Sequence, residues 1–219
     1  MVGPPTECSR AWQRTVSVMS FWQVESDTFA ASLPDMPVHA PLIVFVAGYG
    51  NSGPGHWQRR WHESRPGSLW VEPDDWDRPE CTAWIAGIDR KVATLPGPVF
   101  FVTHSLGGLA VAEWSRTSAR AVAGALLVAV PDPDQADFPS AIRGFGSPDM
   151  NPLRFPAVMV ASSNDPYITA ARSATIAAAW GASLADIGPH GHINAASSLG
   201  DWPDGQALLD RAQREAIGA

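Results

Sequence analysis

Basic residues are scarce in this chain: 15 Lys and Arg stand against 22 Asp and Glu over 219 residues, for a formal net charge of −7 and a pI near 5.2. The few cations are scattered, which excludes a nucleic-acid or anionic-membrane surface, since either requires clustered positive charge. Cysteine is equally sparse. Cys8 and Cys81 lie far apart, and neither belongs to a C-x-x-C pair or a metal-ligand spacing. They read as reduced thiols of a cytoplasmic protein. No apolar run is long enough to span a bilayer, and Met1 to Ser20 contain no basic segment followed by an apolar one, so neither membrane insertion nor export is expected. Internal repeats and low-complexity linkers are also missing. What the chain does have is 45% hydrophobic residues, enough for one sizeable core at this length.

Residues 1–40 show mixed polarity and no sustained period, and Pro34 and Pro37 interrupt their end, with Pro41 just beyond. They are expected to form an N-terminal extension ahead of one domain over 41–219. From Leu42 short apolar runs alternate with helical patterns, which predicts βα units and a mostly parallel sheet of about six strands with helices on both faces. The expected strands are Leu42 to Ala47, Leu69 to Glu72, Val99 to Val102, Ala125 to Val130, Ala157 to Ala161 and Ser183 to Ile187. Trp84, Ile88 and Val92, with Ile85, make one apolar helical stripe that ends near Pro96. Further helices are expected from about His56, over Leu109 to Ser118, over Thr169 to Trp180 and over Gln206 to Ala216. The stretch from Pro131 to Pro156 holds too many prolines for a regular helix and is too long for a turn, so it suits a cap or a pocket wall. It is short for a helical lid, and no large cap domain is expected.

Ser105 stands in Thr103-His104-Ser105-Leu106-Gly107, directly between an expected strand and an alanine-rich helix. A strand that turns abruptly into a helix strains the residue at the corner and needs small neighbours two positions away on either side. Gly107 supplies one of them, whereas Thr103 replaces the usual upstream glycine. The alternative for Ser105 is a plain helix N-cap. A nucleophilic serine needs a histidine to take its proton and a carboxylate to orient that histidine, in the chain order Ser, Asp, His for an α/β-hydrolase. Asp165 follows the strand ending at Ala161, and His192 follows the strand ending at Ile187. Each lies just past a strand's carboxyl end, where open α/β sheets place their sites. Asp132, Asp134 and Asp149 are rivals that follow no strand directly, and His190 shares a glycine-flanked loop with His192, so spacing alone leaves that choice open.

The oxyanion of such a reaction needs backbone donors. The N–H of Leu106 is one candidate. The other is Tyr49, with Gly50 next, on the loop Gly48 to Gly55 after the first strand. That loop also spells Gly48-x-Gly50-x-x-Gly53, a dinucleotide-binding pattern with Glu72 placed to hold a ribose. Pro54 and Gly55, standing where the fingerprint wants a helix, count against it. His56 and His62 lack the i, i+4 spacing of a zinc-binding helix, so neither metal nor cofactor is expected.

From Leu42 to Leu209 the chain resembles the small α/β-hydrolase family of the retinoblastoma-binding-protein type. The likeness lies in Gly53-Pro54-Gly55-His56-Trp57-Gln58, Asp75-Trp76-Asp77-Arg78-Pro79, Thr103 to Gly107, Ser163-Asn164-Asp165-Pro166-Tyr167, Gly191-His192-Ile193-Asn194 and Gly200-Asp201-Trp202-Pro203. The resemblance implies that Ser105, Asp165 and His192 occupy nucleophile, acid and base positions, and so favours His192 over His190. The expected activity is that of a carboxylesterase-like serine hydrolase, acting on a small-molecule acyl substrate, an ester or an amide, through an acyl-enzyme. His56, Trp57 and Trp76 are candidate pocket residues, against the alternative that tryptophans pack the core. A protein-binding module on the same scaffold is the alternative function, with no particular protein partner indicated.

Overall fold

The computed structural model describes residues 40–218; the extension expected over 1–40 lies, apart from Ala40, outside the described residues. The short apolar runs become six strands: β1 (Leu42–Val46), β2 (Leu69–Trp70), β3 (Val99–His104), β4 (Val122–Val128), β5 (Ala157–Ala161) and β6 (Ser183–Asp186). Between and after them lie α1 (Trp57–Glu63), α2 (Cys81–Val92), α3 (Leu106–Thr117), α4 (Ala170–Trp180) and α5 (Pro203–Gly218), with a 3-10 turn at Ala195–Ser197. The strands form one sheet in the order β2-β1-β3-β4-β5-β6, and every neighbouring pair is parallel. The described residues form an α/β-hydrolase fold with no large cap.

Side chains alternate across a strand with a period of two, and the alternation sorts them between two cores. Val44, Val46, Phe101, Leu127 and Met159 pack with Trp84 and Ile88 of α2, Trp114 of α3, and Ile176 and Trp180 of α4. Phe45, Phe100, Val102, Leu126, Val128 and Val160 face the other way, onto Trp57 and Trp61 of α1 and Leu209 and Ala212 of α5. With both faces covered the central strands are apolar throughout, as doubly covered parallel sheets are. Trp57, Trp61, Trp114 and Trp180 are among the largest fully buried side chains; by the usual cost of truncating such a ring, each is worth about 3–5 kcal/mol.

The strand order has one consequence for function. From β1 the chain goes to β2 on one side, then crosses to β3 on the other, so the loops after β1 and β3 diverge and leave a crevice at the strands' carboxyl ends. Gln58 braces this point from beneath: its Nε2 donates to the carbonyls of Val46 (3.1 Å) and Val102 (3.0 Å), and its Oε1 accepts from Ser52 Oγ (2.9 Å).

Several boundaries differ from expectation. β3 runs on through Thr103 and His104, because both still pair with β4, at Leu127 and Val128. β4 starts at Val122 and stops at Val128, and β2 is only Leu69–Trp70. α3 begins at Leu106 and α5 at Pro203, a proline in the first helical position where its missing N–H costs nothing. Cys81 is disulfide-bonded, not a reduced thiol, while Cys8 lies outside the described residues. A cytoplasmic location therefore no longer follows from reduced thiols. Among the described residues no helix is long and apolar enough to cross a membrane.

Candidate active site

At the end of β3 the backbone turns within one residue: Ser105 has φ 53° and ψ −126°, and α3 starts at the next position. A side-chain-bearing residue held there costs on the order of 1–3 kcal/mol, which the surrounding structure must supply. Ser105 N–H is anchored to Val128 O (2.9 Å) and Ser105 O accepts from Gly108 N–H (2.9 Å). α3 passes so close to β1 that a Cβ on Gly107 would lie 2.4 Å from Val46 O and 2.6 Å from Ala47 O. Thr103, the departure from the usual motif, is accommodated from the helix side: a Cβ on Gly108 would meet Thr103 Oγ1 at 3.2 Å and Val130 Cγ2 at 2.7 Å. The N-cap alternative for Ser105 fails, since its side chain makes no capping bond.

The hydroxyl is instead directed to the loop after β6. Ser105 Oγ lies 2.8 Å from His192 Nε2, and His192 Nδ1 lies 2.9 and 3.0 Å from the two oxygens of Asp165. The Asp165 side chain is fully buried, and its Oδ1 accepts the Tyr167 N–H at 2.9 Å. The loops carrying Asp165 and His192 are clamped together. Asn164 Oδ1 accepts from Gly191 N–H (2.7 Å) and Ser162 Oγ–H (2.9 Å), and Ser162 Oγ accepts from His190 N–H (2.9 Å). His190 thus serves through its backbone while its side chain stays exposed. Asp132 and Asp134 pair with Arg172, and Asp149 with Arg116, so the rival carboxylates are already engaged.

His104, which sequence reasoning did not select, lies behind His192. Its Nε2–H donates to the His192 carbonyl at 2.9 Å, and its ring packs against His192 (5.0 Å between centroids) and His56 (4.5 Å). Burial, then His56 and His192, hold its pKa well below the usual histidine value. His56 caps α1, accepting the Gln58 N–H on Nδ1 at 3.1 Å, and burial, followed by the charge of His192, lowers its pKa to about 4. Both are therefore neutral near pH 7.

That has a stability signature with a definite sign. The unfolded chain protonates His56 near 6.5 and the folded chain only near 4, so within this window the unfolded state binds more protons. Stability is then full above about pH 6.5 and falls as the pH drops toward 4, by up to about 3 kcal/mol from this group. His104 acts in the same direction. His56→Asn, which retains a capping oxygen, is expected to show a shallower fall in Tm between pH 7 and pH 4.5 than the unaltered protein; an identical slope would contradict the assignment.

Ser105 opens into a cleft of ≈ 200 Å³. Tyr49, Asn51, His56, Phe138, Pro139, Ile142, Tyr167, His192 and Asn194 are among the residues that line it. Tyr49 N–H has no protein acceptor among the described residues, and the Leu106 N–H, first in α3, has no intrahelical one. Gly50 N–H is occupied by Trp76 O (3.0 Å). Of the three expected pocket residues only His56 lines the cleft. Trp57 is buried in the α1 core, where its Nε1–H donates to Ile193 O (2.7 Å) and so steadies the His192 loop. Trp76 packs edge-on against Trp84, and its carbonyl accepts the Gly50 N–H.

The glycine loop after β1 does not run into a helix at Gly53; α1 starts at Trp57, after His56. Gly48 permits a different approach from that of a pyrophosphate, because a Cβ there would lie 2.7 Å from Ser105 Cβ. His62 bonds Ser68 Oγ at 2.8 Å, apart from His56.

The model of the family described as "Serine hydrolase" matches residues 43–211. Among solved structures, a hydrolase of Pectobacterium atrosepticum described as YdeN-like is 29% identical, over 80% of this chain and 91% of that one, with a TM-score of 0.71. The ydeN gene product of B. subtilis is 19% identical, over 78% of this chain and 98% of that one, at TM-score 0.67. Carboxylesterase CesB of Bacillus subtilis, 12% identical over 92% and 95% of the two chains with a TM-score of 0.56, shares the fold. No curated protein matches the chain. A hydroxyl held at a strained strand–helix corner against an imidazole, and a family match over residues 43–211, lead to one statement: the chain belongs to the serine hydrolase family.

Proposed function

We propose that the protein hydrolyses a small-molecule ester or amide through an acyl-enzyme on Ser105. The observation that carries this is the continuous line from Ser105 Oγ through His192 to Asp165, at 2.8 and 2.9 Å, ending on a buried carboxylate. With Nδ1–H directed to Asp165, the neutral imidazole has its Nε2 lone pair free for the Ser105 proton. His192 takes that proton as Oγ attacks the acyl carbon, and the carbonyl π electrons move onto oxygen. Tyr49 N–H and Leu106 N–H hold the oxyanion, each worth about 3–4 kcal/mol by the cost of removing such a donor. Collapse of the intermediate breaks the bond to the leaving group, which takes the proton from His192. Water then repeats the sequence: His192 removes its proton, hydroxide adds to the acyl carbon, and Ser105 leaves reprotonated.

His104 and His56 are positioning residues in this account. Neutral near pH 7, they add no charge beside the imidazolium that forms on His192. A module that merely bound a partner would have no use for a serine kept in a strained conformation beside a base. The segments quoted above further support placing the chain in the retinoblastoma-binding-protein type. The direct test is acid-quenched turnover of p-nitrophenyl acetate followed by peptide mass spectrometry, with the acetyl group expected on the Ser105 peptide. Hydrolysis with the acyl group on another residue would refute the mechanism.

A further inference from the structure

Resting on that hydrolytic reading, we propose that the cleft accepts a short, uncharged acyl group against a rigid wall formed by Phe138, Pro139 and Ile142, so that these side chains measure acyl length. Among the described residues no Lys or Arg lines the cleft. Arg172, which holds the start of this stretch, is already paired with Asp132 at 3.3 Å and Asp134 at 2.8 Å, and Arg143, next to Ile142, is exposed and does not line the cleft. A carboxylate carried into the acyl end would therefore lose its hydration and gain no counter-charge. At ≈ 200 Å³ the space also falls below the roughly 300–1,000 Å³ of sites for drug-sized ligands.

The wall is a fixed part of the fold, although residues 131–156 contain no helix and only one isolated bridge, between Glu80 and Arg143. At its start Asp132 N–H bonds Tyr167 O (2.9 Å), in addition to the Arg172 pairs. At its middle Arg143 N–H bonds Pro79 O (2.8 Å), and Cys81 N–H bonds Arg143 O (3.0 Å). At its end Arg116 donates to the carbonyls of Asn151 (2.8 Å) and Pro152 (2.9 Å), and Trp180 Nε1–H to Asp149 O (2.8 Å). Phe138 and Ile142 also pack against the buried cluster beneath α2. Ties on both sides of Phe138, Pro139 and Ile142 make the wall resist retreat for a longer chain, so the limit on length is set before substrate arrives.

The test is the kcat/KM profile of p-nitrophenyl esters from acetyl to dodecanoyl, with the hemisuccinyl ester as the charged comparison. For the unaltered protein the profile is expected to peak between acetyl and butanoyl and to fall about tenfold or more by octanoyl, since one misfitted methylene is worth roughly 10- to 200-fold. The hemisuccinyl ester is expected to fall about tenfold below butanoyl. Ile142→Ala, or Phe138→Ala should the first variant not fold, is expected to raise the octanoyl-to-butanoyl ratio by about tenfold. A peak at octanoyl or beyond, a hemisuccinyl ester turned over as well as butanoyl, or a folded wall variant with an unchanged profile would overturn the inference while Ser105 is still acylated. If no ester is turned over and Ser105 is never acylated, the hydrolytic reading fails instead.

Discussion

Ser105→Ala is expected to lower kcat/KM for p-nitrophenyl esters by on the order of 10⁴- to 10⁶-fold, leaving whatever catalysis the oxyanion donors and binding alone provide. The variant loses the atom that sits 2.8 Å from His192 Nε2, while the anchors of Ser105 to Val128 and Gly108 are backbone bonds that alanine keeps. Its Tm should stay close to that of the unaltered protein. Ser105→Gly sharpens the prediction. It removes the same hydroxyl but also relieves the φ of 53°, for which glycine carries no Cβ penalty. Setting relief of about 1–3 kcal/mol against glycine's extra unfolded-state entropy of roughly 0.5–1 kcal/mol leaves a net gain near 1 kcal/mol. For a chain of this size that raises Tm by about 2–4 °C. An inactive but more stable glycine variant would show directly that the corner stores strain for the sake of the hydroxyl. A Ser105→Ala protein retaining more than about a hundredth of the original activity would show that another nucleophile does the work.

Asp165→Asn is expected to cost about 10⁴-fold in kcat with little change in KM. Asparagine has the same shape and can still accept the Tyr167 N–H that Asp165 Oδ1 accepts at 2.9 Å. What changes is the group facing His192 Nδ1, which lies within 3.0 Å of both carboxylate oxygens. An amide NH₂ turned to that nitrogen makes Nδ1 the acceptor and puts the imidazole proton on Nε2. The ring then donates to Ser105 and cannot receive its proton. The loss is one of tautomer, so the variant should fold normally and bind substrate with nearly unchanged KM. A fall of only a few fold would mean that the loop network around Asn164 and Trp57 orients His192 unaided.

The strands were legible because burial on both faces leaves an apolar signature, and the meeting of Ser105, Asp165 and His192 was legible because each follows such a run. What could not be read has physical causes. Thr103 and His104 are polar, so β3 seemed to end before them, yet both continue the ladder and are buried, and His104 escaped notice as a support for His192. His190 and His192 share one loop, and spacing does not separate them; in the fold His192 Nε2 lies 2.8 Å from Ser105 Oγ while His190 is exposed. Trp57 and Trp76 were recognisable as aromatic, but the direction of an indole is decided by the core around it. The wall at Phe138 and Ile142 lies in a proline-rich stretch without period, whose shape is set by arginines distant in sequence, Arg116 and Arg172. Strand order, and with it the crevice between β1 and β3, leaves no trace in local pattern.

The central claim is that Ser105 is an activated nucleophile, and the most direct measurement of it is labelling by a fluorophosphonate probe followed by peptide mass spectrometry. One adduct per chain on the Ser105 peptide is expected, absent in Ser105→Ala and strongly slowed in Asp165→Asn. An adduct that persists in Ser105→Ala, or no adduct on the unaltered, folded protein, would contradict the account.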